Sequence, residues 1–417
     1  MTIQQSCKDD SDPTSLSCEE AIVRILESMS SLTQTEMVPI RHSLGRVTSF
    51  DIIAAANVPP HKNSAMDGYA FRQEELQGLN NPVIKIIGTA FAGKAFTRSV
   101  ERNEAVRIMT GAVVPENADT IVIQEHVKTD GTDLQILEMP NFGDNIRAAG
   151  EDIRVGETIL KSGHKVTPAD LGLIASLGIA EVQVFQKPRV AYFSTGDELK
   201  SLGTTLEPGE IYDSNRYTLY GMLQHLGVDI IDMGVVKDTY DAIEAALLDA
   251  AKSADMVITS GGVSVGDADF IKEALGNVGQ VKFWKIAMKP GRPLAFGKIG
   301  QAHFFGLPGN PVSVMVGFHQ FVTPALEKIS GAKTNRNIIL EAAVTKPLRK
   351  RPGRAEYQRG ILAQEDDGSL TVQPTGDQGS GILKSMSQAN CFIYLPIDAS
   401  DIGVDDAVRV IPFNSAI

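Results

Sequence analysis

RVAYFST (189–195), SNRYTLYGMLQHLG (214–227), VDIIDMGVV (228–236), TYDAIEAALLDAAKSA (239–254) and DMVITS (255–260) alternate short apolar runs with segments of helical period. The short runs are mostly apolar, as strands covered on both faces are, and they alternate with helical segments. Ser214 reads as the helix cap and Gly227 as its stop. Further apolar runs follow at VKFWKIA (281–287), PLAFGK (293–298) and HFFGL (303–307), and a long helix is predicted from Pro311. Residues 188–331 therefore read as an α/β domain built on a largely parallel, doubly wound sheet.

Upstream, Ser17 and Glu20 have capping-box spacing, and Ile22, Ile25, Leu26 and Met29 then share one helical face. Residues 1–16 read as a disordered lead-in. From 57 to 151 the texture becomes β-prone runs divided by turns: PVIKIIGTA (82–90), EAVRIMTG (104–111), DTIVIQEHV (119–127) and DLQILEM (133–139). Helical patterning returns at Thr167-Pro168, with Gly178 as a stop. This predicts a discontinuous mixed α/β domain (17–56 and 152–187) carrying an inserted β-rich domain (57–151). After KPLRKRPGRAEY (346–357), the runs GILAQ, LTVQP, CFIYLP and AVRVIPF predict a C-terminal β domain over 332–417. The fold class is multidomain α/β plus β, in four units.

Composition sets outer bounds. The 417 residues carry 39 Lys and Arg against 51 Asp and Glu, a net charge of −12. With 43% hydrophobic residues and a mean hydropathy of −0.04, the chain has material for several cores. The acidic balance argues against nucleic acid or an anionic membrane as partner. No run approaches the roughly 18 apolar residues of a membrane span, and MTIQQSCKDDSDP is no signal peptide, so a cytoplasmic protein is expected. Cys7, Cys18 and Cys391 are odd in number and far apart, against a disulfide framework. His61 and His126 lack metal-binding spacing, which argues against a histidine-ligated zinc enzyme, and Trp284 reads as core.

In an open α/β sheet the ligand crevice lies beyond the carboxyl ends of the strands. There the chain places Gly196-Asp197-Glu198, the loop 261–269 with Gly261, Gly262, Ser264 and Asp269, and Pro308-Gly309-Asn310-Pro311. The glycine-rich loop suits an anion, but it has neither the dinucleotide fingerprint nor the P-loop lysine. Lys282, Lys285, Lys289 and Arg292 supply cations nearby. In one extended segment Lys285 and Lys289 would share a face, and Pro290-Gly291 would turn the chain. Glu198 and Asp269 follow strand ends and are placed to hold Mg²⁺ against phosphate oxygens. Asp213 and Asp238 precede helices and read equally well as caps.

Taken together, NSAMDGYA (63–70), IMTGAVVP (108–115), DNIRAAGEDI (144–153), STGDEL (194–199), IYDSN (211–215), TSGGVSVGDADF (259–270), AMKPGRPLAFG (287–297) and GLPGNPVS (306–313) resemble the MoeA family of molybdopterin molybdenumtransferases, which includes the E domain of gephyrin. The resemblance runs from about residue 17 to the end. It implies a MogA-like α/β domain, a barrel-like C-terminal domain, and a homodimer with its active site at the subunit interface. It also implies transfer of molybdenum from molybdate to adenylylated molybdopterin, with Mg²⁺ present and AMP released. By motif it assigns activity to Asp67, Glu198, Asp238, Asp269, Lys285 and Lys289. Substrate lining falls to Thr110, Arg147, Ser194, Thr195, Gly261, Gly262, Ser264, Arg292 and Asn310. A molybdate pocket falls to Lys289, Pro290, Ser313, Arg354 and Ser380, and Asp67 would reach across the dimer. Arg292 stands where relatives often have lysine, exchanging a point charge for a fork. A MogA-type adenylyltransferase and recipient molybdoenzymes are the implied partners. Two other readings compete: a molybdopterin adenylyltransferase, which needs little beyond the α/β domain, and a gephyrin-like scaffold.

Overall fold

The computed structural model describes residues 15–262, 270–333 and 338–413. The chain forms two compact units. One comprises the described residues of Met1–Glu36 and Phe185–Ile417, and the other is Met37–Val184.

Helix α1 (Cys18–Glu27) opens the larger unit. Its capping box is present in full: Glu20 N–H donates to Ser17 Oγ at 3.1 Å, and Ser17 N–H donates to Glu20 Oε2 at 3.0 Å.

The smaller unit holds a six-stranded mixed sheet of β1 (Gly68–Phe71), β2 (Val83–Ala90), β3 (Glu104–Ile108), β4 (Thr120–Ile123), β5 (Val127–Asp130) and β6 (Asp133–Ile136), ordered β4-β1-β3-β2-β6-β5. Tyr69, Phe71, Ile84, Val122 and Leu134 pack on one side, and Ala70, Val106, Ile108 and Ile121 on the other. A separate small core of Val38, Leu160, Ile174, Val182 and Val184 anchors helix α2 (Pro168–Ser176), capped by Thr167 as its sequence predicts.

In the larger unit the α/β sheet comprises β7 (Arg189–Thr195), β8 (Asp229–Val236), β9 (Met256–Ser260), β10 (Gly279–Lys285), β12 (Pro293–Ile299) and β13 (Ala302–Leu307). The order is β8-β7-β9-β13-β12-β10. The first four are parallel, while β12 runs antiparallel to both its neighbours, β13 and the edge strand β10. Period-2 alternation divides the side chains between two cores. Val190, Tyr192, Ile258 and Phe305 face the side covered by α3 (Ser214–Leu226) and α1. Ala191, Phe193, Val257 and Phe304 face α4 (Tyr240–Ser253) and α5 (Phe270–Val278). The cap of α3 is Asp213 rather than Ser214, its carboxylate accepting from Arg216 N–H at 3.1 Å. Gly227 stops that helix at φ 72°. The long helix from Pro311 is real but interrupted. A π turn (Phe318–Val322) separates α6 (Pro311–Gly317) from α7 (Thr323–Ile329), where Pro324 has no N–H to continue the ladder.

The C-terminal strands β14 (Leu340–Val344), β15 (Ala355–Gln364), β16 (Leu370–Pro374), β17 (Cys391–Leu395) and β18 (Ala407–Pro412) close into a five-stranded barrel through the β15–β17 pairing. A two-residue strand, β11 (Met288–Lys289), leaves the α/β domain to pair with β15 of the barrel. Helix α8 (Leu383–Gln388) lies against β15. Tyr357, Met386, Phe392 and Ile411 join the core that contains α1, so barrel and α/β domain share one hydrophobic interior. Cys18 and Cys391 are free and buried, and burial pushes both thiols up to about 12, which leaves them inert. Cys7 lies outside the described residues.

Gly68 sits where a Cβ would stand 2.0 Å from the Val122 carbonyl oxygen. Gly68→Ala is expected to cost at least about 2 kcal/mol in urea unfolding, because backbone rather than a pliant side chain must move. Gly172→Ala in α2, with nothing within 4 Å of the added carbon, is expected to be neutral or to gain up to about 1 kcal/mol.

Candidate functional site

Strands β7, β9 and β13 end level: Ser194 pairs with Ser260, and Ser260 with Leu307. At that edge Gly261 N–H donates to Leu307 O at 3.1 Å. Gly261 adopts φ 93°, and a Cβ on it would lie 2.8 Å from Thr195 O. A Cβ on Gly262, at φ 64°, would meet Ile271 Cδ1 at 2.4 Å. Both positions need glycine, which lets the turn cross the end of β7 with its backbone in the crevice. Ser264 and Asp269, in the continuation of that turn, lie outside the described residues.

Asn215, in the first turn of α3, ties the edge together. Its Nδ2 donates to Ser260 Oγ at 2.8 Å and to Gly309 O at 2.7 Å, joining the loops after β9 and β13. Sequence reasoning quoted Asn215 within IYDSN but gave it no role; the visible signal was its place just after the helix-capping Asp213. Asp238 is not a helix cap, since the cap position of α4 is Thr239. Asp238 Oδ1 instead accepts from Thr195 Oγ1 at 3.3 Å, which brings the ends of β7 and β8 together. Glu198 is exposed, and its carboxylate folds back over Gly196, where a Cβ would meet Oε2 at 2.6 Å. Ser194 is fully buried within the strand edge, so its hydroxyl is no part of an open surface. Asn310 occupies the cap position of α6 and is exposed, with no side-chain cap bond.

The basic segment does not run as one extended strand. Lys285 ends β10 opposite Pro293, whereas Lys289 lies in β11 beside the barrel strand β15. Ile286 N–H donates to Arg292 O at 2.7 Å and closes the connecting loop. The two lysines thus belong to different sheets, and the common face expected from their spacing does not exist. Lys289 gains a different neighbour, Glu356, at 3.3 Å.

Backbone contacts bring together the segments that carry Lys289, Ser313, Ser380 and Arg354. A Cβ on Gly291 (φ 92°) would stand 3.4 Å from Ser313 O, in ordinary contact, which puts this turn beside the start of α6. Val312 N–H donates to Ser380 O at 3.1 Å, bringing the loop before α8 to the start of α6. That loop is held from below by Arg359, 1% exposed, which donates to Gly379 O and Ser385 Oγ, each at 2.9 Å. Ala355 N–H donates to Ala287 O at 2.9 Å, which sets Arg354 beside the same loop.

In the smaller unit, Asp67, Thr110 and Arg147 also gather. Asp67 Oδ1 accepts from Thr110 N–H at 2.7 Å and from Thr110 Oγ1 at 2.8 Å. Asn63 pairs with Arg147, and Ser64 N–H donates to Ala112 O at 2.9 Å. The Thr110 backbone bond, then its hydroxyl, then the Arg107 charge hold the Asp67 carboxyl below its ordinary 3.8, against a small desolvation effect.

Thr110→Val is expected to raise the Asp67 value in a carboxyl NMR titration without reaching 3.8, since the backbone donor survives. A carboxyl whose native value is depressed contributes stability above its unfolded value and loses it as pH falls through the native one. The Thr110→Val effect on stability should therefore vanish in acid below both values. Asn215→Ala, which strips two loops of a shared donor, is expected to lower stability by about 1–3 kcal/mol in denaturant titration.

Three successive segments match family descriptions: the MoeA N-terminal region (domain I and II) over 16–178, a probable molybdopterin binding domain over 191–328, and the MoeA C-terminal region (domain IV) over 341–413. Molybdopterin molybdenumtransferase of Haemophilus influenzae is 43% identical over 402 residues, 96% of this chain and 99% of that protein. Molybdopterin molybdenumtransferase 2 of Mycobacterium tuberculosis is 36% identical over 93% of this chain and 97% of its own length. Among solved structures, the molybdopterin biosynthesis MoeA protein of Pyrococcus horikoshii superposes with a TM-score of 0.84 at 28% identity, covering 95% of this chain and all of that one. Family segments, relatives and architecture agree along nearly the whole length, and the chain belongs to the MoeA family of molybdopterin molybdenumtransferases.

Proposed function

We propose that the chain is a molybdenum insertase of molybdenum cofactor biosynthesis, taking adenylylated molybdopterin and molybdate and releasing the cofactor and AMP. The observation that carries this reading is the meeting of Lys289, Pro290-Gly291, Ser313 and the Ser380 loop within one unit, beside a glycine turn that presents backbone at the ends of parallel strands. Such a place suits a tetrahedral oxyanion next to a phosphorylated ligand.

In this reading the Gly262 N–H, with Asn310, receives the pterin phosphate and its adenylyl group. Lys289, Arg354 and Ser380 hold molybdate, and Lys285 and Arg292 offset the remaining negative charge. Thr195 and Asp238 fix the floor of the crevice. Among the described residues, no three His, Cys, Asp or Glu side chains form a group able to hold a metal ion. The carboxylate oxygens of Glu198 and Asp269 fit Mg²⁺, an ion bound through one or two carboxylates with substrate phosphates completing its sphere. Bound there, Mg²⁺ would neutralise charge on the link between the pterin phosphate and AMP.

The smaller unit's Asp67, Thr110 and Arg147 complete the cleft of a partner subunit in a homodimer. The enzyme works in the cytoplasm, supplied by a MogA-type adenylyltransferase and serving recipient molybdoenzymes. Among the described residues, no helix is long and apolar enough to cross a membrane.

Anaerobic incubation of the purified protein with adenylylated molybdopterin, Mg²⁺ and molybdate tests the reading. Molybdate-dependent AMP release is expected, with loss of at least about a hundredfold in Asp67→Ala and Lys289→Ala, both of which should fold normally. Near-wild-type turnover by either variant places the site elsewhere. Robust adenylylation of molybdopterin from ATP without a partner favours the adenylyltransferase.

A further inference from the structure

Glu356 has no role in the reading above, yet it is the side chain Lys289 touches. The two are register partners in the parallel pair β11–β15, and Lys289 Nζ lies 3.3 Å from Glu356 Oε1. Their surroundings differ sharply: the Lys289 side chain is 50% exposed and that of Glu356 only 6%. The second carboxylate oxygen is also occupied, accepting from Gln358 Nε2 at 2.9 Å. Gln358 is buried, and the same nitrogen donates to Arg349 O at 3.0 Å. The carboxylate is thus held at one oxygen by the barrel and presents the other to the lysine.

A lysine ammonium is a point charge on a flexible four-carbon stem, and ordering it costs rotamer entropy. Here a buried acceptor takes one of its three N–H donors and leaves two, on a half-exposed side chain that precedes the Pro290-Gly291 turn, which adjoins the Ser313 backbone. From this geometry we propose that Glu356 is a positioning residue for the oxyanion: it aims the Lys289 ammonium at the pocket and does not itself touch the ligand. The inference rests on the reading of Lys289 as an oxyanion contact. It also explains why a carboxylate sits beside an anion site: the charge that would repel the ligand is withdrawn into the barrel wall, behind the lysine.

Calorimetric titration of the full-length protein with molybdate alone tests it, using wild type, Glu356→Gln, Glu356→Asp, Lys289→Ala and the double variant Glu356→Gln/Lys289→Ala. Glu356→Gln keeps the shape and removes the charge, and is expected to weaken molybdate binding about tenfold. Glu356→Asp, which keeps the charge one methylene further back, should fall between it and wild type. Added to Lys289→Ala, the glutamine change should have no further effect, because Glu356 acts only through the lysine. Thermal unfolding of each variant reports the structural contribution separately. If Glu356→Gln binds molybdate as wild type does, or more tightly, while Lys289→Ala weakens it, the positioning role fails and the oxyanion reading stands. A tenfold loss that persists on the Lys289→Ala background also overturns the role, since it would then arise from the fold. Unchanged binding in Lys289→Ala sinks both readings together.

Discussion

The crevice exists because Gly261 lacks a side chain. With any Cβ at that position the chain leaving β9 would collide with the carbonyl of Thr195, and the turn would have to rise away from the sheet. Its absence lets the backbone cross β7, donate to Leu307 O and stay low enough for Asn215 to reach both Ser260 and Gly309. Three strand ends are thereby locked at one level, which a parallel sheet does not guarantee by itself. The loops that carry the chemistry inherit their positions from this edge.

An acidic protein that binds anions has an electrostatic problem, and the solution here is local. The formal charge of −12 is spread over the chain, whereas Lys289 and Arg354 stand where the α/β domain passes a strand to the barrel. The barrel also supplies the buried Arg359, which spends its guanidinium on the Gly379 carbonyl and Ser385 and so shapes the neighbouring loop. Mutual support between two domains with one interior gives Lys289 and Arg354 a rigid base.

Much of this was legible in the sequence. The apolar runs and capping residues gave the α/β alternation, the caps of α1 and α2 and the helix from Pro311, since those signals act within a few residues. The eight motifs were enough for the family. What could not be read was pairing. Spacing placed Lys285 and Lys289 on one face, but the chain changes sheets between them, and only the partner strand β15 reveals it. Asp238 read equally well as a cap until Thr195, on a different strand, proved to be its partner. Glu356 and Gln358 carried no distinguishing local pattern, and Asn215 only its place just after the cap residue Asp213. An amphipathic helix announces that it has an apolar face but not what covers it, and so the core of α1 was not predictable either.

That last point bears on how the molecule comes into being. The chain's beginning is stitched to its later half: Leu16 N–H donates to Lys285 O, and Cys18, Ala21 and Ile25 are buried among residues of the α6–α7 run and the barrel. During synthesis this segment must wait, its apolar stripe without a cover, until some three hundred further residues have been made, the separation of Leu16 from Ile329. Residues 37–184 have a core of their own and can fold during that interval. The larger unit, in contrast, closes only after residues 37–184 have been made, and contacts so distant in sequence make it the slower of the two.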